Sequence, residues 1–245
     1  MRTLNLTPPK DAMLDADILL HKAAFKAESR EAPEYLESNL MDLVWNYVPS
    51  CVVRAGGRIT LALSCSRADN YRKDFLPSYK EHRNKKPSPQ YLPRAKEILL
   101  RLAEENNWAI AFEERLEADD LMGRAASGNT HVAVTIDKDL RTVPGWHWNP
   151  DKEFQPVFVS RTEADRFFHQ QWLTGDMTDN IPGLYRVGPK KAQALLHKVA
   201  YPNWSMAVMA EYQNRDLTEE TCMSMAHCIR ILQHGETPGS WSPWS

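Results

Sequence analysis

The chain has 245 residues, 42% of them apolar and 25% charged, with a formal charge of −2. That length and composition suffice for one large domain, or a principal domain with a smaller appendage, and exclude disorder, collagen and coiled coil. No apolar run approaches the roughly 18 to 20 residues that cross a bilayer, and the first ten residues lack the apolar stretch of a secretory signal, so the chain reads as soluble and intracellular. Cys51, Cys65, Cys222 and Cys228 form no CxxC pair and are expected to be reduced thiols, neither a disulfide frame nor a zinc site.

In chain order, 12–14 is a brief strand, followed by helical period over 18–28. Leu40, Leu43, Val44 and Tyr47 keep helical spacing, and Gly56-Gly57 turns the chain into a strand over 58–63. A helix over 93–105, a strand over 108–112, a helix over 118–126 and a strand over 131–136 follow, the last ending at Asp137. This alternation predicts an α/β fold with a mostly parallel central sheet flanked by helices. From Glu163 the pattern is helical, apart from turn signals at 180–183 and 187–189. The organisation expected is an α/β unit over 11–162, a helical unit over 163–236, and a Pro/Ser/Trp-rich tail over 237–245 that stays loose unless its tryptophans dock.

The near-zero net charge hides a segregation of sign. Residues 67–101 hold ten Lys/Arg against four Asp/Glu, and residues 180–198 hold four basic residues and no acidic one. One basic face around an acidic hollow accommodates both observations.

Nine carboxylates fall where a strand ends or a helix begins: Asp15 and Asp17; Glu117, Asp119 and Asp120; Asp137 and Asp139; Asp176 and Asp179. The carboxyl ends of strands in an open parallel sheet line the crevice where ligands bind, so these distant segments are expected to meet there. Each ionised pair at 4 Å repels by about 4 kcal/mol at an effective dielectric near 20, and a divalent cation resolves the conflict. All-oxygen donors suit Mg²⁺ or Mn²⁺, not Zn²⁺. Taken singly, each group also reads as a helix cap, an acidic first turn or an ordinary turn. Without the nine, the chain carries a formal +7.

Two segments read as phosphate-gripping. In 180–196, Gly188 lets backbone approach a ligand, Pro189 suits a first helical position, and Lys190 and Lys191 add charge where a helix start attracts anions. In 71–87, Lys80 and Arg83 stand three apart, and Tyr71, Phe75 and Tyr79 offer rings for stacking on unpaired bases.

The order of these motifs resembles the flap endonuclease and 5′-nuclease family, and looks closest to phage 5′-to-3′ exonucleases that remove RNA primers. The match rests on Leu14-Asp15-Ala16-Asp17, Tyr71-Arg72-Lys73, Tyr79-Lys80-x-x-Arg83, Glu117-Ala118-Asp119-Asp120, Asp137-Lys138-Asp139, Gly175-Asp176-x-x-Asp179 and Val187-Gly188-Pro189-Lys190-Lys191. The resemblance implies a PIN-like fold with a C-terminal helix-hairpin-helix region. It implies two ions, Mg²⁺ or Mn²⁺, with Asp15, Glu117 and Asp119 at the first, Asp120 nearby, and Asp137, Asp139, Asp176 and Asp179 at the second. Lys80 and Arg83 would steer the scissile phosphate from an arch or gateway over about 67–92. Arg72, Lys73, Tyr79, Lys85, Lys86, Gly183, Val187, Gly188, Lys190 and Lys191 would contact DNA, with K⁺ at the hairpin. The implied activity is 5′-to-3′ exonuclease or flap endonuclease in phage DNA replication, by a monomer acting on 5′ ends, nicks and flaps of duplex DNA or RNA–DNA hybrid, in the cytoplasm of an infected bacterium and away from membranes.

Two departures stand out. Ser64 and Cys65 occupy the place of a family aspartate, for which Asp69 is the expected substitute, and Arg186 stands where relatives often have glycine. Two other readings stay open: a haloacid-dehalogenase-type phosphatase, whose nucleophile motif Asp15-x-Asp17 is similar to, and a DNA-binding relative with a decayed catalytic site.

Overall fold

The computed structural model describes residues 7–85 and 87–244. Strand β1 (Asp11–Asp15) leads into α1 (Ala16–Ser29), α2 (Leu36–Asn46) and α3 (Ser50–Arg54), then β2 (Ile59–Ala62) and the single turn α4 (Arg72–Phe75). After a 3-10 turn at Glu81–Lys85 come α5 (Leu92–Glu105), β3 (Ala109–Ala111), α6 (Ala118–Ser127) and β4 (His131–Val134). Strands β5 (Gly145–Trp148) and β6 (Val157–Val159) complete the sheet. Helix α7 (Arg161–Thr174) then enters the ribbon β7 (Gly175–Asp176) and β8 (Ile181–Pro182), followed by α8 (Pro189–His197), α9 (Trp204–Gln213) and α10 (Glu219–Ile229).

The six strands lie in the order β3-β2-β1-β4-β5-β6, all parallel except the β5–β6 pair. Every residue of β1 is buried, as a central parallel strand covered on both faces requires. Its alternation sorts the two cores: Ala12 and Leu14 face α1, α2 and α5 through Leu19, Leu40 and Leu99. Met13 faces the other way with Ala62 and Ala133, towards Met122 and Ala126 of α6. Small residues on that second face let α6 lie close. At Gly123 an added Cβ would stand 2.5 Å from the Leu232 carbonyl oxygen.

A third cluster joins α7 to α10, with Phe168, Trp172, Val187, Leu196, Trp204 and Tyr212 at its centre. Trp172 donates from its indole nitrogen to the Cys222 carbonyl at 2.8 Å. The tail docks through Trp241, which packs edge-on against Phe168 and Trp172 at 5.1 and 5.6 Å, while Trp244 stays exposed.

The sequence reading missed β5 and β6. Gly145-Trp146-His147-Trp148 has no apolar alternation, because His147 supplies a buried position by donating to the Val143 carbonyl at 2.9 Å. The expected unit boundary at 162/163 falls within the first turn of α7.

Candidate metal centre and nucleic-acid face

β1 is flanked by β2 on one side and β4 on the other, so the direction of winding reverses beside it and a crevice opens at the strands' carboxyl ends. A cleft of about 770 Å³ occupies that position. Its lining includes Asp15, Asp17, Glu117, Asp119, Asp137, Asp139, Asp176 and Asp179, together with Lys80 and Arg83.

Asp15 ends β1 and caps α1: one oxygen accepts from the Ile18 amide at 3.2 Å and the other from the Thr135 hydroxyl at 2.9 Å. The capping and cleft readings of this residue are therefore compatible. Burial, and then the neighbouring Asp17 carboxylate, push Asp15 up to about 7. Asp119 is pushed well above the usual carboxylate range by burial and by the facing Asp15 and Asp137. Asp17 is raised mainly by burial, although it accepts from the Ser64 amide at 3.2 Å. These inner carboxylates are crowded beyond what their hydrogen bonds offset.

The outer carboxylates are paired. Lys80 Nζ lies 2.6 Å from Glu117 and 3.4 Å from Asp179, and Arg83 lies 2.5 Å from Asp179. The Tyr79 hydroxyl stands 2.8 Å from Glu117 and 3.2 Å from Asp179. Burial alone would raise Glu117, but the Lys80 and Arg72 charges outweigh it and hold the carboxyl at about 2. Burial raises Asp139 to about 6, whereas at Asp176 burial is outweighed by the Asp139 carboxyl, the hydrogen bonds of Thr178 and the Lys138 charge acting together, which lower it. Gln171 donates to Asp139 at 2.6 Å.

Several expected roles need correction. Asp120 is fully buried and faces away from the cleft. Both its oxygens are taken by Arg72, at 2.7 and 2.8 Å, and one also accepts the Leu232 amide. The reason is helical geometry, since adjacent residues point about 100° apart and only Asp119 faces the crevice. Arg72 is therefore no DNA contact: at 2% exposure it binds Asp120 and the carbonyls of Cys228 and Arg230. Tyr79 and Tyr71 are equally buried, and Phe75 stacks on His227 at 4.5 Å, so these rings are core and not base platforms.

Asp69 lies outside the cleft lining and accepts from the Ser66 hydroxyl, so it does not take the place expected of it. Lys73 is half-buried on α4, also outside that lining. Lys85 ends the 3-10 turn, and Lys86 lies outside the described residues.

In the hairpin, Val187 is a core side chain, and an added Cβ on Gly183 would meet the Thr174 carbonyl at 2.0 Å, so this glycine serves close packing. Gly188, Lys190 and Lys191 are exposed at the start of α8, with open space around Gly188. Arg186 adopts φ 56°, the left-handed region that a glycine enters more easily.

Asp17, expected at the crevice with the other strand-end acids, lines the cleft, and so do His21, Arg67 and Gln171, which the sequence did not single out for it. Asp17 carried a signal, its position two residues after a strand-end aspartate. Gln171, inside an amphipathic helix, carried none.

The donor set is oxygen-only and its inner members lack a compensating cation, which fits a hard divalent ion. Among the described residues no group of three acidic, His or Cys side chains forms a ready cage. An ion that keeps several waters and binds through one or two carboxylates, as Mg²⁺ does, requires none.

Residues 11–146 match the family described as 5′-3′ exonuclease, N-terminal resolvase-like domain. The exodeoxyribonuclease of Enterobacteria phage T3 is 28% identical over 173 residues, 67% of this chain and 53% of that protein. The chain spans about half the length of most curated relatives it matches, and less of the DNA polymerase I relatives. The fold is similar to that of T5 D15 protein co-crystallised with metal ions, with TM-score 0.66 at 14% identity over 90% of this chain and 89% of that one. It is also similar to a bacteriophage T5 flap endonuclease pseudo-enzyme-product complex with DNA and metal ions, with TM-score 0.58 at 12% identity over 89% and 92%.

Proposed function

This chain belongs to the 5′-3′ exonuclease family defined by that N-terminal resolvase-like domain, and from that premise we propose that it is a Mg²⁺-dependent 5′ nuclease. Its substrates are 5′ ends, nicks and flaps of duplex DNA or RNA–DNA hybrid, as in primer removal during phage replication. The observation that carries this reading is the meeting of the buried, mutually repelling Asp15 and Asp119 with the exposed Asp137 and the cations Lys80 and Arg83 across one cleft. The metal and DNA in the T5 complex support the same reading by analogy of fold. A phosphatase of the haloacid-dehalogenase type would leave Glu117, Asp119 and the basic start of α8 without a role.

Asp15, Glu117 and Asp119 would hold one ion, and Asp137, Asp139, Asp176 and Asp179 a second. When bound, such ions polarise the phosphodiester and bring the pKa of water towards neutrality. Lys80 and Arg83, which stand at the cleft against Glu117 and Asp179, would offer their charge to the phosphate and stabilise the negative charge that develops there. The exposed start of α8, with Gly188, Lys190 and Lys191, grips the duplex backbone without reading sequence. Such contacts release counterions, so binding weakens steeply with salt.

The test is a nicked and a flapped duplex, labelled at either end, incubated with Mg²⁺, Mn²⁺ or EDTA. Cleavage proceeding from the 5′ side, abolished by EDTA and by Asp139→Ala while DNA binding survives, is the expected result. Normal turnover by that variant, or release of inorganic phosphate from small esters without strand cutting, refutes the assignment.

A further inference from the structure

The crevice lies at the carboxyl ends of the neighbouring strands β2, β1 and β4, and not all of them bring acids to it. β1 ends on Asp15, the residues after β4 deliver Asp137 and Asp139, and the start of α6 adds Glu117 and Asp119. β2 runs out into Leu63-Ser64-Cys65-Ser66, which holds no acid. Ser64 and Cys65 nevertheless line the cleft, so the wall on that side reaches the same space without a carboxylate of its own.

The groups that could serve that side differ in chemistry. The Ser64 hydroxyl is neutral and accepts the Ala118 amide at 2.9 Å. Cys65 offers sulfur, a soft donor that hard divalent ions do not select. Asp69 lies outside the lining and accepts from the Ser66 hydroxyl. Asp17, by contrast, stands half-buried in the first turn of α1, lines the cleft, and leans across the end of β2, where one of its oxygens accepts the Ser64 amide at 3.2 Å. A carboxylate has about four acceptor sites, and Ser64 takes only part of them. The charge of Asp17 acts on Asp15, and that of Glu117 acts on Asp17, so the three stand together. Lys80 and Arg83 pair with Glu117 and Asp179 instead.

We propose that Asp17 is a ligand of the first ion, directly or through one coordinated water, and that it supplies from α1 the carboxylate that the end of β2 lacks. The proposal rests on the metal-dependent nuclease reading above.

Mn²⁺ binding to the full chain, followed by electron paramagnetic resonance without DNA, tests it apart from turnover. Asparagine keeps an oxygen for the Ser64 amide while removing the charge, so Asp17→Asn is expected to retain a cooperative melt in EDTA and to bind Mn²⁺ at least about tenfold more weakly. Asp69→Asn is expected to change that affinity by less than about twofold. Adding Cys65→Asp to the Asp17→Asn chain returns a carboxylate to the end of β2 and is expected to bring affinity within about threefold of wild type, which a purely structural role at the helix start would not allow. A smaller loss in Asp17→Asn, a loss that Cys65→Asp does not recover, or an equal loss in Asp69→Asn overturns the assignment. Crystals of the wild-type chain soaked in Mn²⁺ test it without a variant. An anomalous peak within about 5 Å of an Asp17 oxygen, the reach of one coordinated water, is expected, and peaks confined to farther positions overturn it. A wild-type chain that binds no Mn²⁺ refutes the nuclease reading along with this proposal, whereas wild-type binding that ignores Asp17→Asn refutes this proposal alone.

Discussion

Replacing Asp119 by asparagine should stabilise the metal-free protein and deprive it of the stability that metal confers. Burial, with the facing Asp15 and Asp137, lifts Asp119 well above the usual carboxylate range, and burial with the neighbouring Asp17 lifts Asp15 to about 7 from an ordinary 3.8. About three units correspond to a ceiling of about 4 kcal/mol. Asp119 bears a cost of the same kind, divided between burial and the Asp15 and Asp137 charges, so removing its charge relieves about 1 to 2 kcal/mol. In a protein of this size each kcal/mol moves Tm by about 2 to 4 °C, so Asp119→Asn should melt roughly 2 to 8 °C higher in EDTA at pH 7.5. The sign follows from protons bound: carboxyls raised in the folded state make stability fall as pH rises from about 4 towards 7, so the variant's advantage shrinks to nothing near pH 4. In saturating Mg²⁺ the wild-type chain gains stability by mass action, and the variant should gain far less. Thermal melts across pH, with EDTA or Mg²⁺, decide the matter. An unchanged or lower Tm for Asp119→Asn in EDTA, or an equal gain in Mg²⁺, would refute the reasoning.

Three further outcomes are expected. Asp120→Ala strands the buried Arg72 charge and should cost about 3 to 5 kcal/mol in urea unfolding, while pairing Asp120→Leu with Arg72→Met should recover most of it. Burial holds the His147 imidazole down at about 4, so the neutral ring's contribution is intact above pH 6.5 and is lost as pH falls towards 4. Unfolding at pH 7 and 4.5 should differ by about 2 kcal/mol more in wild type than in His147→Gln. Lys80→Met frees Glu117 from its ion pair and should tighten Mn²⁺ binding by about five- to tenfold, read by electron paramagnetic resonance, while slowing cleavage. Weaker Mn²⁺ binding would contradict the pairing seen here.

The sheet and the gathering of acids were legible because both follow from short-range pattern. Strands such as 131–134 advertise themselves by composition, and an acid just past a strand's end must lie at the crevice wherever the strand sits in a parallel sheet. The hairpin start at Gly188-Pro189 was legible for the same reason. What escaped depended on partners far away in sequence. Asp119 and Asp120 are chemically alike and adjacent, and only the guanidinium of Arg72, 48 residues earlier, turns one into core. Tyr79 reads as a surface aromatic among lysines until α7 to α10 close over it. β5 escaped because a buried histidine replaced the apolar residue that alternation needs.

The bond network beneath α6 bears on biosynthesis. The helix that presents Glu117 and Asp119 is bolted from below by residues near the far end of the chain: Arg72 reaches the Cys228 and Arg230 carbonyls, and Leu232 donates to Asp120. A nascent chain leaving the ribosome can complete its sheet by β6 yet still lack this underpinning. The footing of Glu117 and Asp119 must then await synthesis of residues 228–232, so a product interrupted before them carries these acids on an unsupported helix.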